Sequence, residues 1–405
     1  MGDSDSNHKM PDPQAGRRHE LDWLRVIAFF ILIVFHAGFP FCADIDGGIR
    51  NNVVSGTMSK IWDFLHFWRI PLLFLISGAG VWYAFGERSI IEFFKERFRR
   101  LVIPLVFGVL FITPITVYYY LSILGANDSS FFQFYKKTLS RYFVNGEFYL
   151  YLSHLWFIAY LFLYCVTALP VFLFIRSESG KHWLDKLAAF FDKTLFMYVF
   201  SVPICLGVFL LIPYYKSFEL DWARMYLSFF LLIMGFILAS RRVYLEVLER
   251  QRIISLLIGL GGWLLMKWFK PEWDSSVYGW NYEPSLAYEA LRSITLLGIL
   301  YAIIGFAKHY LEFSNAFLEY TNSYIYPFYI LHAPFWMMAS YYLLPLDINM
   351  WVKLALVIMV TVLPTVLVCH FLIRPWDHLR LFFGLKKRGF VKADHRKSKS
   401  YSKAC

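Results

Sequence analysis

Apolar runs close to twenty residues long recur from Leu21 to Ile373, and no other feature limits the possible folds so tightly. A run of that length crosses the hydrocarbon core of a bilayer as one helix. Lipid offers the backbone no hydrogen-bond partners, so each run must satisfy its own amides as an α-helix. Ten spans can be read, at roughly 22–41, 62–85, 101–124, 151–175, 195–213, 223–240, 253–269, 286–307, 322–344 and 350–373. Composition agrees: 58% of the chain is hydrophobic and only 17% charged, against about 45–50% and about 25% in a soluble domain. The expected fold class is therefore all-α, a polytopic membrane protein of about ten transmembrane helices.

Lysine and arginine set its orientation. With the N-terminus inside, the cytoplasmic segments hold 27 of them and the opposite loops 8, the other five lying at span ends or inside spans. That bias puts both termini in the cytoplasm, and an even number of spans requires the same. The net charge of +11 is thus placed for membrane orientation rather than for nucleic acid. The polar segment 1–20 reads as a cytoplasmic tail rather than a cleaved signal peptide. Residues 21–375 read as the ten-helix domain, and 376–405 as a basic cytoplasmic tail. The five cysteines are scattered, with neither a disulfide framework nor a metal-ligand spacing, and no metal is expected.

The first span carries the first chemical clue. Arg25 and His36 stand eleven residues apart in LDWLRVIAFFILIVFH, which is about 16.5 Å and three turns plus about 20° along a helix. Both therefore point from one face, the arginine near the cytoplasmic surface and the histidine at or beyond mid-membrane. Asp22 is one turn before Arg25 and can pair with it. The plain reading makes Arg25 a positive-inside anchor and His36 a histidine bonded within the bundle. The sharper reading follows from the cost of ionisable groups in lipid, which marks pathways and reaction centres. A histidine there suits a general base that takes a proton from a hydroxyl.

An arginine or lysine, ten residues and then a histidine in the first span resembles the acyltransferase 3 family of integral membrane acyltransferases. Other segments resemble it in order: His66-Phe67-Trp68-Arg69-Ile70-Pro71 running on to Ser77-Gly78, Arg97-Phe98-Arg99-Arg100, Ser153-His154-Leu155-Trp156, and Tyr326-Pro327 running on to His332. Arg374-Pro375 with Leu381-Phe382-Phe383-Gly384 is similar to the end of the glucan-modifying branch, the glucans biosynthesis protein C group. Many members carry a glutamate in the fourth span; Leu155 to Leu161 holds no acid and is preceded by His154, which again favours that branch.

The resemblance implies an O-acyltransferase. It would move an acyl group, succinyl or acetyl, from cytoplasmic acyl-CoA to a hydroxyl of an extracytoplasmic carbohydrate such as a glucan, in the inner membrane of a bacterium. His36 is then the expected general base, with a covalent acyl-histidine relay as a variant. Arg97 and Arg100, with Arg99 as a third, are expected to hold the donor phosphates, since guanidinium forks match phosphate oxygens, and Arg25 to hold a phosphate of the same donor or line the thioester channel. Arg69, His154 and His332 are expected to bind substrate. The aromatic and acidic loop 271–284 is a candidate for sugar contact. The competing class is a transporter or flippase, in which Arg25, His36 and His332 line a polar path and no ester forms.

Overall fold

The computed structural model describes residues 18–386 except 45–47, 87, 142, 145–146, 149–151, 193–194, 215–220 and 270–284. Of the expected tails 1–20 and 376–405, residues 1–17 and 387–405 lie outside the described residues, as does the loop 271–284.

Helices run in the order α1 His19–Phe41, α2 Gly56–Phe85, α3 Ile90–Ile123, α4 Phe131–Arg141, α5 Ser153–Thr167, α6 Leu169–Arg176, α7 Glu178–Phe191, α8 Phe196–Tyr214, α9 Trp222–Ser240, α10 Arg242–Arg250, α11 Arg252–Phe269, α12 Leu286–Tyr310, α13 Ala316–Leu343, α14 Met350–Ile373 and α15 Asp377–Phe382. The described β structure is one antiparallel pair of two-residue strands, Phe143–Val144 with Glu147–Phe148. Eight described helices are long and apolar enough to cross a membrane, and α5 with α6, bent by 53° between them, makes a ninth. The tenth expected span is α13. Its 28 residues reach about 42 Å, but Asn322, His332 and a series of tyrosines make it less apolar than the others. It carries Asn322, Tyr329, His332 and Trp336, all part of the site described below.

One close crossing, of α2 with α9, anchors the core through two glycines. A Cβ placed on Gly78 of α2 would lie 1.9 Å from the Leu232 carbonyl of α9, and one on Gly235 of α9 would lie 1.9 Å from the Leu75 carbonyl of α2. Only glycine permits that approach, the usual way helices pack where no hydrophobic force drives them together. Helix α1 packs against both α2 and α13, and α13 also packs against α3 and α14.

Prolines inside the helices release specific carbonyls, because a proline has no N–H for the residue four before it. Pro114 in α3 releases the Leu110 carbonyl, which accepts a hydrogen bond from the Tyr135 hydroxyl of α4 at 3.2 Å. Pro104 in the same helix releases the Arg100 carbonyl, and the helix widens into a π turn over Phe98–Val102. The same device recurs in α13, at the site.

Candidate functional site

Four helices bring their histidines together in the half of the bundle that the charge bias assigns to the outer side. His36 comes from α1, His66 from α2, His154 from the turn that opens α5, and His332 from α13. The His332 ring centroid lies 5.5 Å from that of His36 and 5.5 Å from that of His154. The ring of Trp336, one turn beyond His332, lies 4.9 Å from that of His36. Sequence spacing placed His36, His154 and His332 in separate spans; the fold makes them neighbours.

The orientation of two of these rings follows from the backbone. Pro334 in α13 has no N–H to offer the Ile330 carbonyl. His154 takes its place, donating from Nε2 to Ile330 at 3.0 Å. A carbonyl only accepts, so Nε2 carries the proton and Nδ1 keeps its lone pair. His332 donates from Nδ1 to the Tyr329 carbonyl at 2.6 Å, which leaves the lone pair on Nε2. Tyr329 also donates its hydroxyl to the backbone carbonyl of His154. Ser153 sits just before it at φ 47°, a left-handed backbone that swings the turn Ser153–Leu155 against α13. Such a conformation costs a serine about 1–3 kcal/mol, and strain of this kind collects at functional sites.

Arg69 lies one turn after His66 on the same face of α2. It is 4% exposed, and its Cζ sits 3.5 Å from the centroid of the Phe35 ring. Trp62 stacks on that ring from α2 at 4.6 Å, and Phe35 is the residue next to His36. No described carboxylate lies within 4.0 Å of the Arg69 guanidinium. Around His36, the buried atoms His154 Nδ1, His332 Nε2, Arg69 Nε and Trp336 Nε1 have no hydrogen-bond partner among the described residues. Two acceptors and two donors are therefore concentrated in one layer, where buried polar groups are ordinarily satisfied. Among the described residues, no three His, Cys, Asp or Glu side chains converge to hold a metal ion.

The cytoplasmic end differs from expectation in one respect. Arg25 pairs with Asp22 at 2.9 Å and donates to Asn322 of α13 at 3.2 Å, so it is tied to the bundle as well as to the surface. Arg97 is buried, not open to a ligand. Its Nη2 meets Glu96 at 2.6 Å, and the other oxygen of Glu96 takes Arg100 at 3.2 Å. One carboxylate thus offsets part of the charge of the pair expected to hold phosphate, and Arg99 and Arg100 are the exposed members.

Arg25 and His36 do share a face, but the interval between them is filled. Phe29 packs edge-on against Tyr329 at 5.7 Å, and Phe157 against Tyr329 at 6.1 Å. Beside this plug, an apolar groove between α1, α13 and α14 is lined by Val26, Phe30, Ile33, Tyr324, Phe328 and Val366.

Spacing alone overlooked His66, Trp336, the tyrosine plug and Glu96. His66 and Arg69 at i and i+3 carried a signal of one shared face; the others are apolar or acidic residues of types common in any such helix.

The whole of this arrangement falls inside one family match. The model described as an acyltransferase domain, that of the acyltransferase 3 family, covers residues 18–370. No curated protein and no solved structure matches the chain. A bundle of membrane-crossing helices that converges histidines from α1, α5 and α13, within a match over nearly its whole length, belongs to the acyltransferase 3 family and is a membrane acyltransferase.

Proposed function

We propose that the protein transfers an acyl group, succinyl or acetyl, from cytoplasmic acyl-CoA to a hydroxyl of an extracytoplasmic carbohydrate such as a glucan, in the inner membrane of a bacterium. The observation that carries this reading is the convergence of His36, His154 and His332 deep in the bundle, with lone pairs on His154 and His332 that no described residue takes up.

In this reading His36 accepts the proton of the acceptor hydroxyl as its oxygen attacks the thioester carbonyl. The departing thiolate then recovers a proton from His36. A positioned base of this kind contributes about 10²–10⁴-fold. His154 and His332, each oriented by a backbone carbonyl, accept hydrogen bonds from other hydroxyls of a sugar. Arg25 and Arg100, with Arg99, hold donor phosphates at the inner mouth, while Arg97 braces Arg100 through Glu96. The plug of Phe29, Phe157 and Tyr329 separates this mouth from His36. The apolar groove beside it suits the pantetheine arm and acyl chain better than it suits a sugar, which would leave hydroxyls unpaired there.

Mass spectrometry of surface and periplasmic glycans tests the reading, in cells lacking the protein and restored with wild type or His36→Ala. An ester restored by wild type alone supports it, and its mass names the acyl group. Unchanged glycans, together with acceptor movement across vesicles without ester formation, would support a transporter instead.

A further inference from the structure

We infer that Arg69 is a catalytic residue, the group that stabilises the oxyanion formed when the acceptor hydroxyl attacks the acyl carbonyl; this rests on the acyl-transfer reading above. A guanidinium in the apolar layer of a membrane protein is costly, and buried arginines pair with carboxylates or serve a function. Arg69 is 4% exposed, and among the described residues its Nε has no hydrogen-bond partner and no carboxylate lies within ion-pair distance. Instead its Cζ sits over the ring of Phe35, the residue preceding His36, at 3.5 Å from the centroid. Trp62 backs the same ring at 4.6 Å, which fixes the plane on which the guanidinium rests. The Phe35 ring that carries it lies 5.5 Å, centroid to centroid, from the His36 ring.

The reaction supplies the missing anion. The hydroxyl oxygen forms a bond to the thioester carbon while its proton passes to His36, and the carbonyl π electrons move onto oxygen. The oxyanion so formed lies beside the base that has just become an imidazolium. Its electrons then re-form the carbonyl, the carbon–sulfur bond breaks, and the thiolate takes the proton back from His36. Atoms and charge balance, and the only new anions are the oxyanion and the thiolate. A fixed cation in a dry layer stabilises the first without reorganisation, which is where such groups act most strongly. A role in holding the carboxylate of a succinyl donor would use the same charge, but in the ground state and for one donor only.

The purified protein in nanodiscs separates these roles, with acetyl-CoA and succinyl-CoA as donors and a glucan as acceptor. Arg69→Gln is expected to lower kcat about 10²–10³-fold, equally for both acyl groups, with KM for the donor within about threefold of wild type. Arg69→Lys keeps a cation in the layer and safeguards against a variant that fails to fold; it is expected to keep at least about a tenth of wild-type kcat. A loss confined to the succinyl donor, a raised KM with kcat unchanged, or a folded Arg69→Lys as slow as Arg69→Gln overturns the assignment while leaving acyl transfer standing. No transfer by wild type itself overturns the underlying reading and this one with it.

Discussion

His154 Nε2 donates to the carbonyl of Ile330 at 3.0 Å, the one carbonyl of α13 that Pro334 leaves without an amide. A histidine at the mouth of one helix is thereby held by the irregularity of another. The hydroxyl of Tyr329, the residue before Ile330, binds the backbone of the same histidine.

Pro334→Ala restores an N–H that competes with His154 for the Ile330 carbonyl. His154 then loses its fixed tautomer and His332 shifts relative to His36. Acyl transfer is expected to fall about ten- to a hundredfold, the scale of a misplacement near 1 Å, with little change in melting temperature. Steady-state kinetics beside thermal unfolding checks both halves.

His36→Gln keeps a hydrogen-bonding side chain but removes the base. The expected loss in kcat is about 10²–10⁴-fold, with donor affinity unchanged because His36 lies about 16.5 Å along α1 from Arg25. Isothermal titration with CoA reads the second quantity; a weakened affinity would contradict the separation of donor mouth and reaction layer.

Glu96→Gln frees Arg97 and Arg100 from their shared carboxylate. The arm to the exposed Arg100 contributes up to about 1 kcal/mol, so with Arg100 released CoA is expected to bind about two- to fivefold more tightly at low salt. The gain should shrink as ionic strength rises. Affinity measured at two salt concentrations decides it.

Gly235→Ala brings a Cβ against the Leu75 carbonyl at the α2–α9 crossing. Two rigid backbones must separate there, at about 1–3 kcal/mol. Gly261→Ala, with nothing within 4 Å of the added carbon, is expected to stay within about 0.5 kcal/mol of wild type. Equal losses in the two variants would remove the crossing as the reason for conserving space at Gly235.

Much of this protein follows from its sequence because lipid leaves the backbone so few choices. Long apolar runs must be helices, basic loops face one side, and eleven residues bring Arg25 and His36 to one face; none of these depends on what packs against what. Even the dipping apolarity of α13 is written in its tyrosines, Asn322 and His332. The convergence of His36, His66, His154 and His332 is a property of helix packing, settled by where α1 lies against α2 and α13 and where the turn of His154 meets α13. Likewise, Arg97 read in one dimension is a phosphate ligand, and only its side-chain direction turns it inward onto Glu96. Pro334 was visible as a proline, but which group would claim the carbonyl it released depended on a helix some 175 residues earlier in the chain. Local rules determine the spans; the partners of their polar groups are decided by contacts between residues far apart in sequence.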